Sequence, residues 1–263
     1  MSIGTSKQVV HKMIDREMRN KEITHQLLAI IYCIRQEHPT LSCRAMYNKI
    51  NPDFIGRDKF EDLCRENGLM RPPHKNYKRT TNSFGVIRFD NLLVNTTLTG
   101  INQAFSSDIT YFEINGKHAF ITFIMDCFSR RILGYSVSNR LTTEATTLNA
   151  LKMLVRNRKN QIPEGVIFHS DGGGQYYDKE FIKLTTKLKM RNSMCKQAYE
   201  NGKAERLNGI IKNNYLIQDN IKSYNELVKS VDRSVYKYNF SRPHSKLNYL
   251  SPIEFEKKCI IFA

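Results

Sequence analysis

Residues 105–126 read FSSDITYFEINGKHAFITFIMD, two apolar runs hinged on Asn115-Gly116, and that hinge limits the possible folds more than any other feature of the chain. Both central positions of a tight hairpin turn need a positive φ, which Asn and Gly accept at little cost, so the pair predicts two antiparallel strands. A third run, RILGYSVS, follows across the short turn FSRR. The period then changes. Ala145, Leu148, Leu151 and Val155 fall on one side of a helix predicted over Thr142–Arg158. The short strand GVIFHSD leads through a Gly-rich loop to a helix near Asp178–Leu188, and the strand RNSMC to helices over about Lys203–Leu216 and Tyr224–Tyr238. Three meandering strands followed by alternating helices and strands require a mixed α/β sheet with helices packed against it, over residues 101–263.

Residues 1–69 read as helical. Leu27, Leu28, Ile31 and Ile34 recur at helical spacing over Thr24–Glu37, and His38-Pro39 ends that pattern. Ser42 is placed to cap SCRAMYNKI, and Gly68 to close RDKFEDLCREN after the turn NPDFIG. Two short helices around a Gly-containing turn fit a helix-turn-helix. Residues 70–100 read as a basic linker. Lys75, Lys78 and Arg79 sit in a stretch with no acidic residue between Glu66 and Asp90, which makes the segment a solvated coil or an arm that tracks phosphates. The formal charge of +16 divides as +6 over residues 1–85, +5 over 86–200 and +5 over 201–263. A body basic throughout, rather than a basic tail, points to a polyanion such as nucleic acid. The six cysteines fall singly, without CxxC pairs, which argues against a disulfide scaffold or a zinc ribbon. No window approaches the continuous apolar length of a membrane span.

Three carboxylates stand out by placement. Asp108 lies inside the first strand, where burial without a partner is costly. Asp171 closes the fourth strand ahead of Gly172, Gly173 and Gly174, at the kind of strand end where functional side chains gather. Glu205 shares a helix with Asn208 and Lys212 on one stripe, beside the apolar stripe Ala204, Leu207, Ile211 and Tyr215. Converging carboxylates suit hard divalent cations, Mg²⁺ or Mn²⁺, and two such ions can serve the attacking and leaving oxygens of an in-line phosphoryl displacement. GGGQ lacks the lysine of a phosphate-binding Walker loop, and no GxSxG elbow is present.

SSDITYF, MDCFSRRILGY, HSDGGGQY and ENGKAERLNGIIKNNYL resemble the integrase core of DDE transposases, an RNase-H-like five-stranded mixed sheet with flanking helices. The match is to the OrfB-type transposases of bacterial insertion-sequence family 3, whose closing signature YNFSRPHSKLNYLSPIEF resembles, and whose helix-turn-helix the segment from about Leu41 to Leu69 is similar to. The resemblance implies DNA cleavage at element ends and strand transfer, with Asp108, Asp171 and Glu205 as the catalytic, metal-binding triad and two Mg²⁺ or Mn²⁺ ions per site. Asn201, Asn208 and Lys212 would position or contact DNA, as would Lys75, Lys78 and Arg79. Asp126 reads as a turn organiser, and His169 and Gln175 flank Asp171. The spacing of 33 residues between Asp171 and Glu205 is slightly shorter than the family's, and Phe105 stands where the family carries a Trp. The resemblance further implies a cytoplasmic, nucleoid-associated bacterial protein that multimerises on DNA and works with the upstream-frame protein of its element. A metal-dependent nuclease and a catalytically silent DNA-binding regulator are the competing readings.

Overall fold

The computed structural model describes residues 7–71 and 88–261, so Lys75, Lys78 and Arg79 lie outside the described residues. The chain divides into two compact units, residues 1–72 and 73–263.

In the first unit α1 spans Lys7–Glu37, α2 Cys43–Ile50 and α3 Arg57–Glu66. Only the last part of α1 buries residues, namely Leu27, Ile31 and Ile34, which pack with Met46, Phe60 and Cys64. Its first half leaves Val9, Val10, Met13, Ile14 and Met18 exposed. Ser42 caps α2 by accepting from the Ala45 amide at 3.3 Å. At the end of α3, Gly68 takes φ +66° while the Leu69 amide donates to the Cys64 carbonyl and Gly68 to Arg65. That pair of bonds is a Schellman closure, and it requires the left-handed residue that glycine supplies without strain. Arg35 then ties the unit together by donating to the carbonyls of Pro39, Leu41 and Leu69.

The second unit is built on a five-stranded sheet in the order β3-β2-β1-β4-β5. Its strands are β1 (Ala104–Ile114), β2 (Lys117–Asp126), β3 (Ile132–Ser138), β4 (Ile167–Ser170) and β5 (Arg191–Met194). Asn115 and Gly116 both have positive φ, 50° and 75°, as the hairpin turn demands. The first three strands are antiparallel neighbours, whereas β4 runs parallel to β1 and β5 parallel to β4.

Helices cover both faces of the sheet. A π-helical turn, Glu144–Leu148, continues into α4 (Asn149–Asn157), and α5 spans Lys179–Lys187. These pack Leu151, Leu154 and Phe181 against Phe105, Ile124, Leu133 and Phe168. On the opposite face α6 (Gly202–Ile211), its π-helical extension Lys212–Leu216, and α7 (Tyr224–Phe240) pack Leu207, Ile211, Tyr215 and Val231 against Ile121, Phe123 and Met125. Two-sided burial explains why β2 reads as a continuous apolar run rather than an alternating one. Gly134 permits the close approach of α4, since a Cβ there would lie 2.1 Å from the Ala150 carbonyl oxygen. A last helix, α8 (Pro252–Ile261), was not anticipated from the sequence.

Side chains blunt both edges of the sheet. On β3 the Asn239 amide bonds both the N–H and the C=O of Ile132, Asn157 donates to Leu133, and the Tyr224 hydroxyl donates to Val137. Along β5 the segment after residue 87 lies against the strand, with Leu92 N–H on the Ser193 hydroxyl and the Met194 amide on the Asp90 carbonyl. Such cover leaves few backbone groups free to recruit another strand. Among the described residues no helix is long and apolar enough to cross a membrane.

Candidate active site

Asp108 sits in the middle of β1 opposite Phe123 of β2. Its Oδ1 accepts from the Ile109 amide at 3.0 Å, and its Oδ2 accepts from the Asn208 side-chain amide at 2.8 Å. The preceding residue is equally fixed, for the Ser107 hydroxyl donates to the Phe123 carbonyl and lies 2.8 Å from the buried Tyr176 hydroxyl. Asn201 donates to the Ser107 carbonyl at 3.0 Å and so pins the approach to α6 against β1.

Parallel pairing brings Asp171 to the same end of the sheet. Ser106 of β1 stands beside His169 of β4, so two residues further along each strand Asp108 and Asp171 emerge together. Asp171 is oriented by the Gly173 amide, which donates to its Oδ1 at 3.1 Å. A side chain at position 173 would begin 3.1 Å from that same oxygen, which explains a glycine where the loop folds back. Glu205 lies exposed in the first turn of α6.

Burial, then the charge of Asp171, then that of Glu205 push the Asp108 carboxyl up to about 7, against the hydrogen bonds from Ile109 and Asn208. Burial likewise raises Asp171. The three carboxylates thus share one field. Among the described residues, however, no three His, Cys, Asp or Glu side chains close into a ready-made metal cage. Asp108 lies on β1 and Asp171 just past the end of the neighbouring parallel strand β4, while Glu205 is exposed on α6.

The remaining sequence candidates are placed as follows. Asn201 and Asn208 are buried, with their amides spent on Ser107 and Asp108, so both act on β1 from within the protein. Lys212 donates to the Tyr111 carbonyl at 3.0 Å and lies 4.8 Å from the centroid of the Tyr111 ring. His169 is fully buried with Nδ1 2.9 Å from the Ser193 hydroxyl, and burial lowers it to about 4, so it joins β4 to β5 as a neutral ring. Gln175 reaches the Leu141 carbonyl at 3.4 Å. Asp126 organises the β2–β3 turn: it accepts from Phe128, Ser129 and Asn102 amides and lies opposite Phe105, near the start of β1.

Three contributors escaped the sequence reading. Tyr176 and Tyr177 follow the glycine loop, and the Tyr177 hydroxyl donates to Met194 Sδ at 3.1 Å and reaches the Asp171 carbonyl at 3.4 Å. Arg88 stacks its guanidinium 5.1 Å from the Tyr177 ring centroid. The doublet in HSDGGGQYY was the available signal for the tyrosines. Nothing local marks Arg88.

A β3-β2-β1-β4-β5 sheet with one carboxylate midway along β1 and another just past the end of β4 has the arrangement of an integrase-type core. Two family models, both described as integrase core domain, match residues 99–199 and 186–252 and together span more than half of the chain. The insertion element IS600 31 kDa protein of Shigella sonnei is 29% identical over 256 residues, covering 95% of this chain and 92% of its own. Transposase InsF of insertion sequence IS3A from Escherichia coli K12 is 30% identical over 163 residues, 61% of this chain and 56% of InsF. In fold, a chain of the simian T-cell lymphotropic virus intasome in complex with the PP2A regulatory subunit B56 gamma is similar at TM-score 0.51 and 16% identity, over 77% of this chain and 67% of that one. The chain belongs to the IS3-type transposases with an integrase core domain.

Proposed function

We propose that this protein cuts DNA at the ends of an insertion element and joins the freed 3′ ends to target DNA, with Asp108, Asp171 and Glu205 as its catalytic carboxylates. The observation that carries the reading is Asp108: a half-buried carboxyl in mid-strand, raised to about 7 by desolvation and by Asp171 and Glu205, and held by Asn208. A fold retains so unfavourable a charge cluster where a cation or a reaction makes use of it.

The donor set fits a divalent metal, being oxygen-only with an excess of negative charge that a cation offsets. Asp108, Asp171 and Glu205 would hold two Mg²⁺ or Mn²⁺ ions, which supply Lewis-acid activation of the attacking oxygen and neutralise charge on the leaving oxygen. The chain's own residues do the positioning. Asn208 and the Ile109 amide each fix one oxygen of Asp108, while Gly173 N–H sets the rotation of Asp171. Glu205, on the exposed side of α6, is free to turn toward the pair. Activity on DNA as a multimer, together with an upstream-frame protein, completes the reading.

Strand transfer with purified protein, labelled DNA carrying the element's own ends, and Mg²⁺ or Mn²⁺ tests it. Joined products from wild type and none from Asp171→Asn are expected, since the substitution removes a charge at nearly constant shape. Nicking without joining, even with the upstream-frame protein present, would favour a nuclease. Binding without chemistry from wild type would leave a regulator.

A further inference from the structure

Strand pairing stops just short of Asp171. β4 pairs with β5 as far as Ser170 beside Met194, and the Cys195 amide donates to the Ser170 carbonyl at 3.0 Å. Beyond Asp171 come Gly172, Gly173 and Gly174, which have no side chains to pack. A carboxylate on so bare a loop shares the backbone freedom of its glycines unless another group fixes that backbone.

Tyr177 returns to that loop. A short 3₁₀ turn, Gly174–Tyr176, swings the chain back, and the Tyr177 amide closes it on the Gly174 carbonyl at 3.1 Å. The Tyr177 hydroxyl then lies 3.1 Å from Met194 Sδ, 3.4 Å from the Asp171 carbonyl and 3.5 Å from where a Cβ on Gly172 would stand. That Cβ would also stand 3.0 Å from Met194 Cε, so glycine at 172 lets the loop backbone rest directly on the Tyr177–Met194 pair. Met194 is itself fixed: it is buried at the end of β5, its amide bonds the Asp90 carbonyl at 3.4 Å, and its sulfur accepts from the Arg88 amide at 3.5 Å. The Tyr177 ring is held by the Arg88 guanidinium, 5.1 Å from its centroid, and by Phe89 at 6.1 Å between centroids. Phenylalanine would fill the same space; what the hydroxyl adds is a directed hold on the loop backbone.

We propose that Tyr177 is a positioning residue for Asp171. Its hydroxyl, seated on Met194, holds the backbone from which the carboxylate projects, and the Gly173 amide then sets the carboxylate's rotation. The inference rests on the reading of Asp171 as a metal ligand and adds what keeps that ligand in place. Groups that orient a metal's ligands are worth about 10–100-fold in metal affinity, and Tyr177 acts in this way through the backbone. It also ties the carboxylate loop to residues 88–90, which join the end of β5 at the same phenol.

Tyr177→Phe removes one oxygen and keeps the ring on Arg88 and Phe89, while Met194→Leu removes the acceptor at similar volume. Hydrogen–deuterium exchange of the full chain in EDTA reads the loop without metal or chemistry. In Tyr177→Phe the amides of residues 171–176 should exchange several-fold faster than in wild type, with the β1–β2 hairpin unchanged. Mn²⁺ binding, followed by the paramagnetic resonance of the free ion, should weaken about tenfold in that variant at an unchanged metal-free melting temperature. Met194→Leu should show a smaller loss, and the double variant no more than Tyr177→Phe alone, because both act through one contact. In strand cleavage, excess Mn²⁺ should restore the rate of Tyr177→Phe with KM for DNA unaltered, which a tyrosine that touched DNA would not show. Loop exchange equal to wild type, or a Mn²⁺ loss matched by a fall in the metal-free melting temperature, overturns the positioning role. Faster loop exchange in a protein that binds no Mn²⁺ even as wild type supports the hold on the loop and overturns the metal-site reading instead.

Discussion

Asp108 concentrates the tension between stability and function at the scale of one side chain. Its carboxylate is half-buried, feels the charges of Asp171 and Glu205, and gains only two hydrogen bonds in return. Asp108→Asn keeps the shape and removes the charge, so in metal-free buffer the variant should unfold at a higher temperature than wild type. Added Mn²⁺ should raise the melting temperature of wild type and leave that of the variant in place, because binding stabilises only a folded state that can bind. A wild-type melting temperature indifferent to Mn²⁺ would count against the metal site. His244 sets a pH dependence of known sign. Its folded value of about 3 lies below the ordinary 6.5, so the unfolded chain takes up a proton that the folded one refuses. Its contribution is therefore intact above pH 6.5 and is lost as pH falls toward 3. His244→Asn should flatten the fall in stability across that window in urea titrations at a series of pH values.

Among the elements, α8 is the one whose place depends most on distant partners. Glu256 on its buried side accepts from the Ser129 hydroxyl, from Arg131 and, with both oxygens, from Arg158. These partners come from the β2–β3 turn, the start of β3 and the end of α4, so one carboxylate locks the helix to three elements. Glu256→Ala would leave the largely buried Arg158 only the longer approach to Asp126 at 3.8 Å, and breaking a buried pair costs up to about 3–5 kcal/mol. Urea unfolding should show a midpoint lowered accordingly with little change in slope. The same dependence explains why the sequence did not disclose α8. PIEFEKKCII is short, mixes charge with apolar residues, and carries no stripe that would predict a buried face. The first half of α1 falls within the stretch read as helical, yet it buries none of its side chains. The hairpin, the capping serine of α2 and the glycine closure of α3 were legible because each is decided by backbone geometry within a few residues.

For the molecule as a whole, the division at residues 72 and 73 separates a helical unit with its own apolar core from a sheet unit with apolar cores on both faces of its sheet. Residues 73–263 expressed alone should fold and unfold cooperatively, with a midpoint close to that of the corresponding transition in the full chain. Circular dichroism on the fragment tests this, and a molten or aggregated product would show that the sheet unit needs the first. Positive charge lies in all thirds of the chain rather than in one unit, so the fragment should retain salt-dependent DNA binding.

By itself the sequence determined the order of strands and helices, the turn and cap positions, and the three carboxylates worth testing, because periodicity, positive-φ demand and motif spacing are local quantities. Only the tertiary structure decided which groups meet. Parallel pairing of β1 with β4 sets Asp108 beside Asp171, and α6 lays Asn208 on a carboxylate 100 residues earlier. It also set Asn201 and Asn208, expected to position or contact DNA, as buried struts on β1. Burial and Coulomb interaction depend on distance in space, and distance in space is what a linear pattern of residues leaves open.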